Sequence, residues 1–288
     1  MNSPRDLRRR IKSVRSTAQI TNAMQMVAAS KMRKAQQAAI ATAPFVRQLY
    51  RIQRIATTRM VDFKDPLLEE RVVRKRAVIL IAADKGLCGA LNTNVFRLAA
   101  QFDSQSTIFI AAGRKAAQFI ARTRRQLAAE FAYGDSPTFA ESRAIAAFAR
   151  DLFLKGDVDQ VQIVATRFIN TLTQEAVSIE YLPVGQITGI TVPGIESDAV
   201  LTADTGETEL EPNAEALLAY LLKHYLNIYI HHVLLNAKAS EQSARLVSMK
   251  NATDSAESLV KELRLEYNKL QQGNITKELL EIAGGQAG

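Results

Sequence analysis

The chain of 288 residues is poor in the residues on which several common kinds of protein site depend. It has one cysteine, Cys88, and no tryptophan, and aromatic residues make up only 6% of it. A single cysteine excludes a disulfide framework within the chain, a switch made of two thiols and a zinc site built on cysteines. No apolar run approaches the roughly 18 residues that suggest a transmembrane helix. The low aromatic content suits helices packed through alanine and aliphatic side chains.

Glycine and proline are also missing from a long stretch near the N-terminus. After Pro4, which suits the first turn of a helix, neither residue occurs up to about Thr42. We expect Pro44 to kink or end this helix, with helical character resuming over Arg47–Met60. The predicted apolar face consists of Leu7, Ile11, Val14 and Ala18, continued after a slip in register by Ile20, Met24, Val27, Ala28 and Met32.

The C-terminal quarter carries a heptad pattern that is too long for an ordinary globular helix. Its positions alternate steps of four and three residues and are Leu221, Tyr225, Ile228, His232, Leu235, Ala239, Gln242, Leu246, Met249, Thr253, Ala256, Val260, Leu263, Tyr267, Leu270 and Asn274. Globular helices average about 11–12 residues, so a seam of roughly 50 residues needs a helical partner. A helix over Leu217–Ile282 would be roughly 100 Å long. We expect the two terminal helices to pair as an antiparallel coiled coil.

The formal net charge of +8 is unevenly distributed. Residues 1–59 contain about thirteen lysines and arginines against one acid, Asp6. Residues 168–222 contain no lysine or arginine and about nine acids. A basic helix of this kind can bind nucleic acid, an anionic membrane or an acidic protein surface, or can be a solvated face. The sign of the charge does not decide among them.

The middle of the chain predicts a small, mostly parallel sheet with helices on its faces, because strand and helix patterns alternate. The predicted strands are Ala77–Ala83, Thr107–Ala111, Val161–Thr166 and Val177–Leu182, and the predicted helices are Asn94–Phe102, Arg114–Arg124 and Thr138–Leu154. Residues 183–212 are predicted to be a loop or irregular strand. The resulting domains are an N-terminal coiled-coil helix (1–60), a central α/β domain (72–195) and a C-terminal coiled-coil helix (210–284).

The glycine turn Gly86–Gly89 is the feature most suggestive of a ligand site, because it follows a strand where open α/β sheets bind ligands. It matches neither GxxxxGK[ST] nor GxGxxG, so a tight strand-to-helix turn with Cys88 packed inside is the favoured interpretation. His231 and His232 are adjacent and should point to different faces of a helix. The sequence predicts no catalytic, cofactor-binding or metal-binding residue.

Three parts of the chain contain motifs long enough to indicate a family. Ile20–Gln36 (ITNAMQMVAASKMRKAQ) resembles the N-terminal signature of the gamma subunit of the rotary proton-translocating ATP synthase, and Ala239–Asp254 with Tyr267–Ile282 resembles the C-terminal signature of that family. Leu80–Asn92 (LIAADKGLCGALN) is similar to its central motif. The resemblance covers the whole chain in the expected order. Gln19 stands where the family usually has lysine, and Asn22 where it often has lysine. Gly273 and Asn274 replace the small helix formers that are usual in the family near the C-terminus.

This resemblance implies a central-stalk rotor subunit, itself not catalytic, that couples proton-driven rotation to conformational change at the nucleotide sites of the beta subunits. Its implied partners are three alpha and three beta subunits around the coiled coil, and the epsilon subunit and membrane rotor ring at the base. The implied location is peripheral, on the cytoplasmic face of a bacterial plasma membrane or the equivalent inner face in an organelle. The implied coupling contacts are Met24, Lys31, Arg33, Lys34, Arg245, Gln272, Thr276 and Glu281.

Two other functions are compatible with parts of the chain. A basic coiled-coil protein that binds nucleic acid would explain the N-terminal charge, although the basic face lacks interleaved aromatic residues. A small α/β enzyme built on the central domain would explain the glycine turn, but it leaves both terminal helices without a role. An enzyme should turn over alone, whereas a rotor should be inert until its ring surrounds it.

Overall fold

A computed structural model describes residues 3–58, 64–184 and 214–285. The helices are α1 (Pro4–Thr58), α2 (Leu91–Ala99), α3 (Arg114–Arg122), α4 (Phe139–Leu154) and α5 (Ala214–Gly285). The strands are β1 (Arg76–Ile81), β2 (Thr107–Ala112), β3 (Gln126–Phe131), β4 (Gln160–Phe168) and β5 (Gln174–Leu182). Helices α1 and α5, of 55 and 72 residues, enclose the α/β segment in the chain order, as predicted. Most of the predicted loop over 183–212 lies outside the described residues.

Two compact units make up the chain. The first consists of Met1–Ala29 and Arg245–Gly288, and the second of Ser30–Ala244, so that α1 and α5 each contribute to both. This division follows packing within the fold. The predicted domains 1–60, 72–195 and 210–284 follow the order of the chain instead, and they stay a prediction.

In the first unit, α1 and α5 run antiparallel. The hydroxyls of Thr21 and Thr253 are 2.7 Å apart, and Arg8 Nη2 donates to the Tyr267 hydroxyl at 2.7 Å. Lower numbers on α1 therefore meet higher numbers on α5, as an antiparallel pair requires. The buried residues of α5 in this unit include Met249, Thr253, Ala256, Val260 and Leu263, which are predicted seam positions. The coiled-coil prediction is confirmed.

The predicted face of α1 is wrong at two positions. Ile20 and Val27 are 58% and 54% exposed, whereas Thr21 and Ala28 are buried. The buried face therefore keeps its steps of four and three residues from Leu7 onward, without the predicted slip. Thr21 can be buried because its hydroxyl is hydrogen-bonded to Thr253 and to the Ala18 carbonyl.

Three helices have boundaries that differ from the prediction. Helix α1 does not end at Pro44 but continues to Thr58, and the alternative of a kink at Pro44 stays a prediction. Helix α3 ends at Arg122 and not at Arg124, because Arg124 has a φ of 52° and lies in the left-handed region. Helix α2 begins three residues earlier than predicted, at Leu91.

The second unit contains a five-stranded sheet in the order β3-β2-β1-β4-β5. All neighbouring strands are parallel except β4 and β5. One face of the sheet, with Ile79, Ile110 and Ile163, packs against α4 and α5, and the other, with Val78 and Phe109, packs against α2 and α3. A mostly parallel sheet with flanking helices was predicted, but strand β3 was not. Most of its side chains are exposed because it is an edge strand, so its sequence lacks the apolar run of a buried strand.

Candidate functional site

The carboxyl ends of the parallel strands form the region where open α/β sheets bind ligands, at the point where the strand order reverses. Here that point lies between β1 and β4. Helix α5 occupies it. Ala244 packs against Ala83, Cys88 and Leu91, and Ser243 Oγ donates to the carbonyl of Thr171 at 2.8 Å, in the turn after β4. The crevice therefore holds a part of the chain itself.

The glycine turn beside this helix is held by the chain's own groups. Leu87 and Gly89 have φ angles of 61° and 59°, which turn the backbone sharply between β1 and α2. The side chain of Asn92 accepts from Ala83 N at 3.1 Å and donates to Cys88 Sγ at 3.4 Å. Cys88 is 2% exposed. The prediction of a tight turn with a packed cysteine is confirmed.

Two charged side chains of α5 are buried at the same edge of the sheet. The side chains of Lys238 and Glu241 are 1% and 5% exposed, and Nζ lies 3.0 Å from Oε2. The ammonium of Lys238 is also 4.6 Å from the centroid of the Tyr133 ring, in the range of a cation–π contact. The Tyr133 hydroxyl donates to the Ala82 carbonyl at 3.1 Å. Burial, followed by the charges of Glu241 and Asp84, raises the pKa of Tyr133, so it stays a neutral donor.

Helix α1 reaches the same loop through an ion pair. Lys31 Nζ lies 2.6 Å from Asp135 Oδ2, two residues beyond Tyr133. The hydrogen bond from Lys31 lowers the pKa of Asp135, although burial opposes it. Both side chains are about half exposed, at 41% and 55%. The loop after β3 therefore contacts α5 through Tyr133 and α1 through Asp135.

The neighbouring turn is fixed at the start of α4. Thr138 Oγ1 accepts from Glu141 N, and the Glu141 carboxylate accepts from Thr138 N, which is a capping box. Glu141 Oε1 also accepts from Gly134 N at 3.2 Å. Burial alone would raise the pKa of Glu141, but these hydrogen bonds outweigh it and the pKa is lowered. Glu141 therefore ties the residue between Tyr133 and Asp135 to the helix.

His231 and His232 have different neighbours, as their adjacency predicted. His231 Nδ1 is 2.9 Å from Ser142 Oγ, and its ring lies edge-on to Phe139. His232 Nε2 is 2.9 Å from the amide nitrogen of Asn236. Burial, and then the proximity of His232, lowers the pKa of His231. Within the described parts of the chain, no group of three potential metal-binding side chains occurs.

Comparison with known proteins places the whole chain in one family. The family model for ATP synthase matches residues 3–288. The ATP synthase gamma chain of Opitutus terrae is 44% identical over 99% of this chain and 98% of its own length. The chain belongs to the ATP synthase gamma-chain family. The gamma chain of Methylacidiphilum infernorum is 39% identical over 99% of both chains.

Solved structures of ATP synthase rotors contain chains of the same fold. A chain from the rotor of Euglena gracilis mitochondrial ATP synthase matches with a TM-score of 0.66 and 20% identity, over 94% of this chain and 98% of that one. A chain from the central stalk and c-ring structure of Tetrahymena thermophila mitochondrial ATP synthase matches with a TM-score of 0.58 and 22% identity, over 81% and 99%. At these identities the likeness concerns the fold alone.

The residues predicted as coupling contacts of a gamma chain lie in both units. In the first unit, Met24 is half-buried, Arg245 is buried, and Gln272 and Thr276 are exposed. In the second unit, Arg33 and Lys34 are exposed and Lys31 pairs with Asp135. Glu281 lies in α5, but its side chain is outside the described part of the structure. The coupling role of these residues stays a prediction.

Sequence reasoning did not find the buried charges of this gamma chain. Lys238 and Glu241 are three residues apart in a stretch of small residues, which is the one signal available. The same spacing is common on solvated helix faces, so it does not predict burial by itself. No sequence pattern indicated a role for Tyr133 or Asp135, because both follow strand β3, which was not predicted.

Helix α1 of this gamma chain also exposes apolar side chains in the first unit. Ile20, Met26 and Val27 are 58%, 63% and 54% exposed. Single exposed apolar residues are normal, but several near one another on one helix are typical of a surface that contacts a partner. Of the helices in the described residues, none is long and apolar enough to cross a membrane.

Proposed function

We propose that this chain is the central-stalk rotor subunit of an ATP synthase, which couples proton-driven rotation to conformational change at the nucleotide sites of the beta subunits, in ATP synthesis or hydrolysis. Membership of the gamma-chain family over the whole chain is the observation that carries this proposal. The antiparallel pair of α1 and α5 supports it, because a rotor needs an element that can turn inside a ring. The nucleic-acid alternative finds no support in the relatives.

The chemistry in this proposal belongs to the beta subunits, and the rotor acts through unequal contacts. A partner can shift a conformational equilibrium only by binding the conformers with different affinity. An antiparallel helix pair presents different side chains on different sides, so its rotation would offer each beta subunit a different surface in turn. The filling of the sheet's crevice by α5 supports a role without catalysis in this chain.

The proposed partners are three alpha and three beta subunits around the helices, and the epsilon subunit and membrane rotor ring at the base. The chain would be a peripheral membrane protein, held by these partners on the cytoplasmic face of a bacterial membrane or its organellar equivalent. The exposed apolar side chains of Ile20, Met26 and Val27 support a protein partner for α1.

The proposed coupling contacts are the eight predicted residues: Met24, Lys31, Arg33, Lys34, Arg245, Gln272, Thr276 and Glu281. The exposure of Arg33, Lys34, Gln272 and Thr276 leaves their side chains accessible to surrounding subunits. Many contacts of this kind would share the load, so the loss of one should lower coupling without abolishing it.

The first test is ATP hydrolysis by purified alpha and beta subunits, with and without this chain, at one fixed ionic strength. We expect strong stimulation, with one chain for three alpha–beta pairs. The absence of both a complex and stimulation would refute the proposal. DNA binding that weakens steeply with salt would then point to the nucleic-acid alternative.

The second test replaces Arg245 by alanine. We expect this change to lower ATP turnover of the assembled complex without unfolding the helix pair. Arg264→Ala is the control for the loss of a positive charge, because Arg264 lies on the same helix in the same unit and belongs to no proposed contact, although it is exposed and Arg245 is buried. Normal turnover of the Arg245→Ala complex would count against the role of Arg245. Circular dichroism checks that both variants stay helical.

A further inference from the structure

The ion pair between Lys238 and Glu241 is buried, with side chains that are 1% and 5% exposed. Taking both charges out of water costs energy that their attraction at 3.0 Å offsets only in part. Replacing buried ion pairs by apolar residues of similar size is often neutral or stabilising. The stability of the fold therefore does not explain why these two charges are buried. Their position on α5 indicates another role.

Lys238, which pairs with Glu241 of the same helix, connects α5 to the loop after β3. The Lys238 ammonium lies over the ring of Tyr133, whose hydroxyl is bonded to the end of β1 at Ala82. Asp135, two residues further on, holds Lys31 of α1 at 2.6 Å. The loop over residues 133–135 therefore contacts both long helices. Tyr133 contacts the ammonium of Lys238 on α5, and Asp135 contacts the ammonium of Lys31 on α1.

The loop itself is fixed on the sheet from two sides. Its middle residue, Gly134, donates to Glu141 in the capping box of α4. Tyr133 sits against Gly113, where an added Cβ would lie 3.3 Å from the tyrosine ring and 2.1 Å from the Ala82 carbonyl oxygen. Only glycine allows β1, the start of α3 and Tyr133 to approach this closely.

We propose that Tyr133 and Asp135, with Lys238, Glu241 and Lys31, form a register lock that fixes the rotational position of α1 and α5 on the sheet. These are positioning residues, and the proposal rests on the rotor function proposed above. The apolar face of α5 packs on the sheet without strong directionality, so the rotational position of the helix depends on its polar contacts. The hydrogen bonds of Ser243 and His231 contribute to that position. The contacts of Lys238 with Tyr133 and of Lys31 with Asp135 connect both long helices to one loop. Loss of the lock would therefore let the helices slip under load and would waste part of the torque.

The decisive variant replaces the buried pair by apolar residues of similar size, Lys238→Met with Glu241→Leu. The altered chain is assembled into the complete complex in membrane vesicles, and ATP hydrolysis and ATP-driven proton pumping are measured together. We expect hydrolysis and the unfolding temperature of the chain to be retained. We expect protons pumped per ATP hydrolysed to fall by at least about twofold. A purely structural role would change the unfolding temperature and leave that ratio unchanged.

A second set of variants tests the half-exposed pair, where misfolding is a smaller risk. Lys31→Asp and Asp135→Lys should each lower the pumping ratio, and the two together should restore it by forming the pair in reverse. Arg167→Gln with Glu175→Gln removes an ion pair between β4 and β5 of similar exposure and should leave the ratio unchanged.

The outcomes separate the lock from the rotor function. If the unaltered chain fails to stimulate hydrolysis by alpha and beta subunits, the proposed function fails. If it stimulates hydrolysis and the Lys238→Met, Glu241→Leu complex pumps at the normal ratio, the lock alone is refuted. A normal pumping ratio in the Asp135→Lys complex also overturns the lock, because the pair with Lys31 would then have no part in coupling.

Discussion

Replacement of Gly113 by alanine should destabilise the second unit much more than the same change at Gly156. Both glycines have a positive φ, +94° and +77°, which costs an L-residue about 1–2 kcal/mol. At Gly156 no atom lies within 4 Å of an added Cβ, so the conformational cost stands alone. At Gly113 the Cβ would lie 2.1 Å from the Ala82 carbonyl oxygen, which belongs to the backbone and must shift.

That shift sets the size of the effect. Ala82 donates to the Ala112 carbonyl at 3.0 Å and accepts from the Tyr133 hydroxyl at 3.1 Å. Losing both hydrogen bonds costs about 1 kcal/mol each, so Gly113→Ala should cost about 3–4 kcal/mol in all. For a unit of this size that lowers the unfolding temperature by about 6–16 °C, against about 2–8 °C for Gly156→Ala.

Thermal unfolding followed by circular dichroism measures the total effect, and hydrogen exchange of β1 and β2 localises it. Gly86→Ala is the baseline, since Gly86 has no positive φ and no atom near an added Cβ. It should stay within about 0.5 kcal/mol of the unaltered chain. Equal losses for Gly113→Ala and Gly156→Ala would refute the reasoning, because the close approach to Ala82 would then have no energetic consequence.

Two further predictions concern stability. Thr21→Val or Thr253→Val alone should cost about 1 kcal/mol, because the remaining buried hydroxyl loses its partner at 2.7 Å, whereas the double change should cost little more than either. A double-mutant cycle by thermal unfolding measures this, and strict additivity would contradict it. His231 has a lowered pKa, so its stabilising effect is complete above the ordinary value of 6.5 and is lost as the pH falls from there through the lowered value. Between about pH 7.5 and about pH 5.5 the unfolding temperature should therefore drop less in His231→Gln than in the unaltered chain. An equal drop would show that other groups cause the loss.

The sequence predicted the C-terminal helix well because its information is periodic. A repeat of 3.5 residues that continues without proline specifies both the helix and its buried face, and the observed bounds extend only three residues beyond Leu217 and Ile282 at either end. The buried face of the N-terminal helix was predicted less well. Ile20 and Val27 are more apolar than Thr21 and Ala28, yet they point outward. Apolar side chains can face a partner as well as the chain's own core, and Thr21 can be buried because its hydroxyl bonds both Thr253 and the Ala18 carbonyl.

The contacts of the lock could not be predicted from local sequence. Lys238 is buried because Tyr133 covers it, and that tyrosine is more than one hundred residues away in a loop that follows an exposed edge strand. The resemblance implies that Lys31 contacts surrounding subunits, and it gives no sign that its ammonium also meets Asp135 in the fold. Contacts between polar residues that are far apart in the sequence depend on the packing of the whole fold, and no local sequence period predicts them.

Rotation of the chain inside its ring is the most direct test of the rotor function. Cys88 is the one cysteine and is buried, so an exposed cysteine introduced as Lys155→Cys can carry a visible marker selectively. The chain is assembled with alpha and beta subunits fixed to a surface, and the marker is followed while ATP is hydrolysed. The proposed function predicts stepwise turning in one direction that stops when ATP is exhausted. Stimulated hydrolysis with a stationary marker would contradict it.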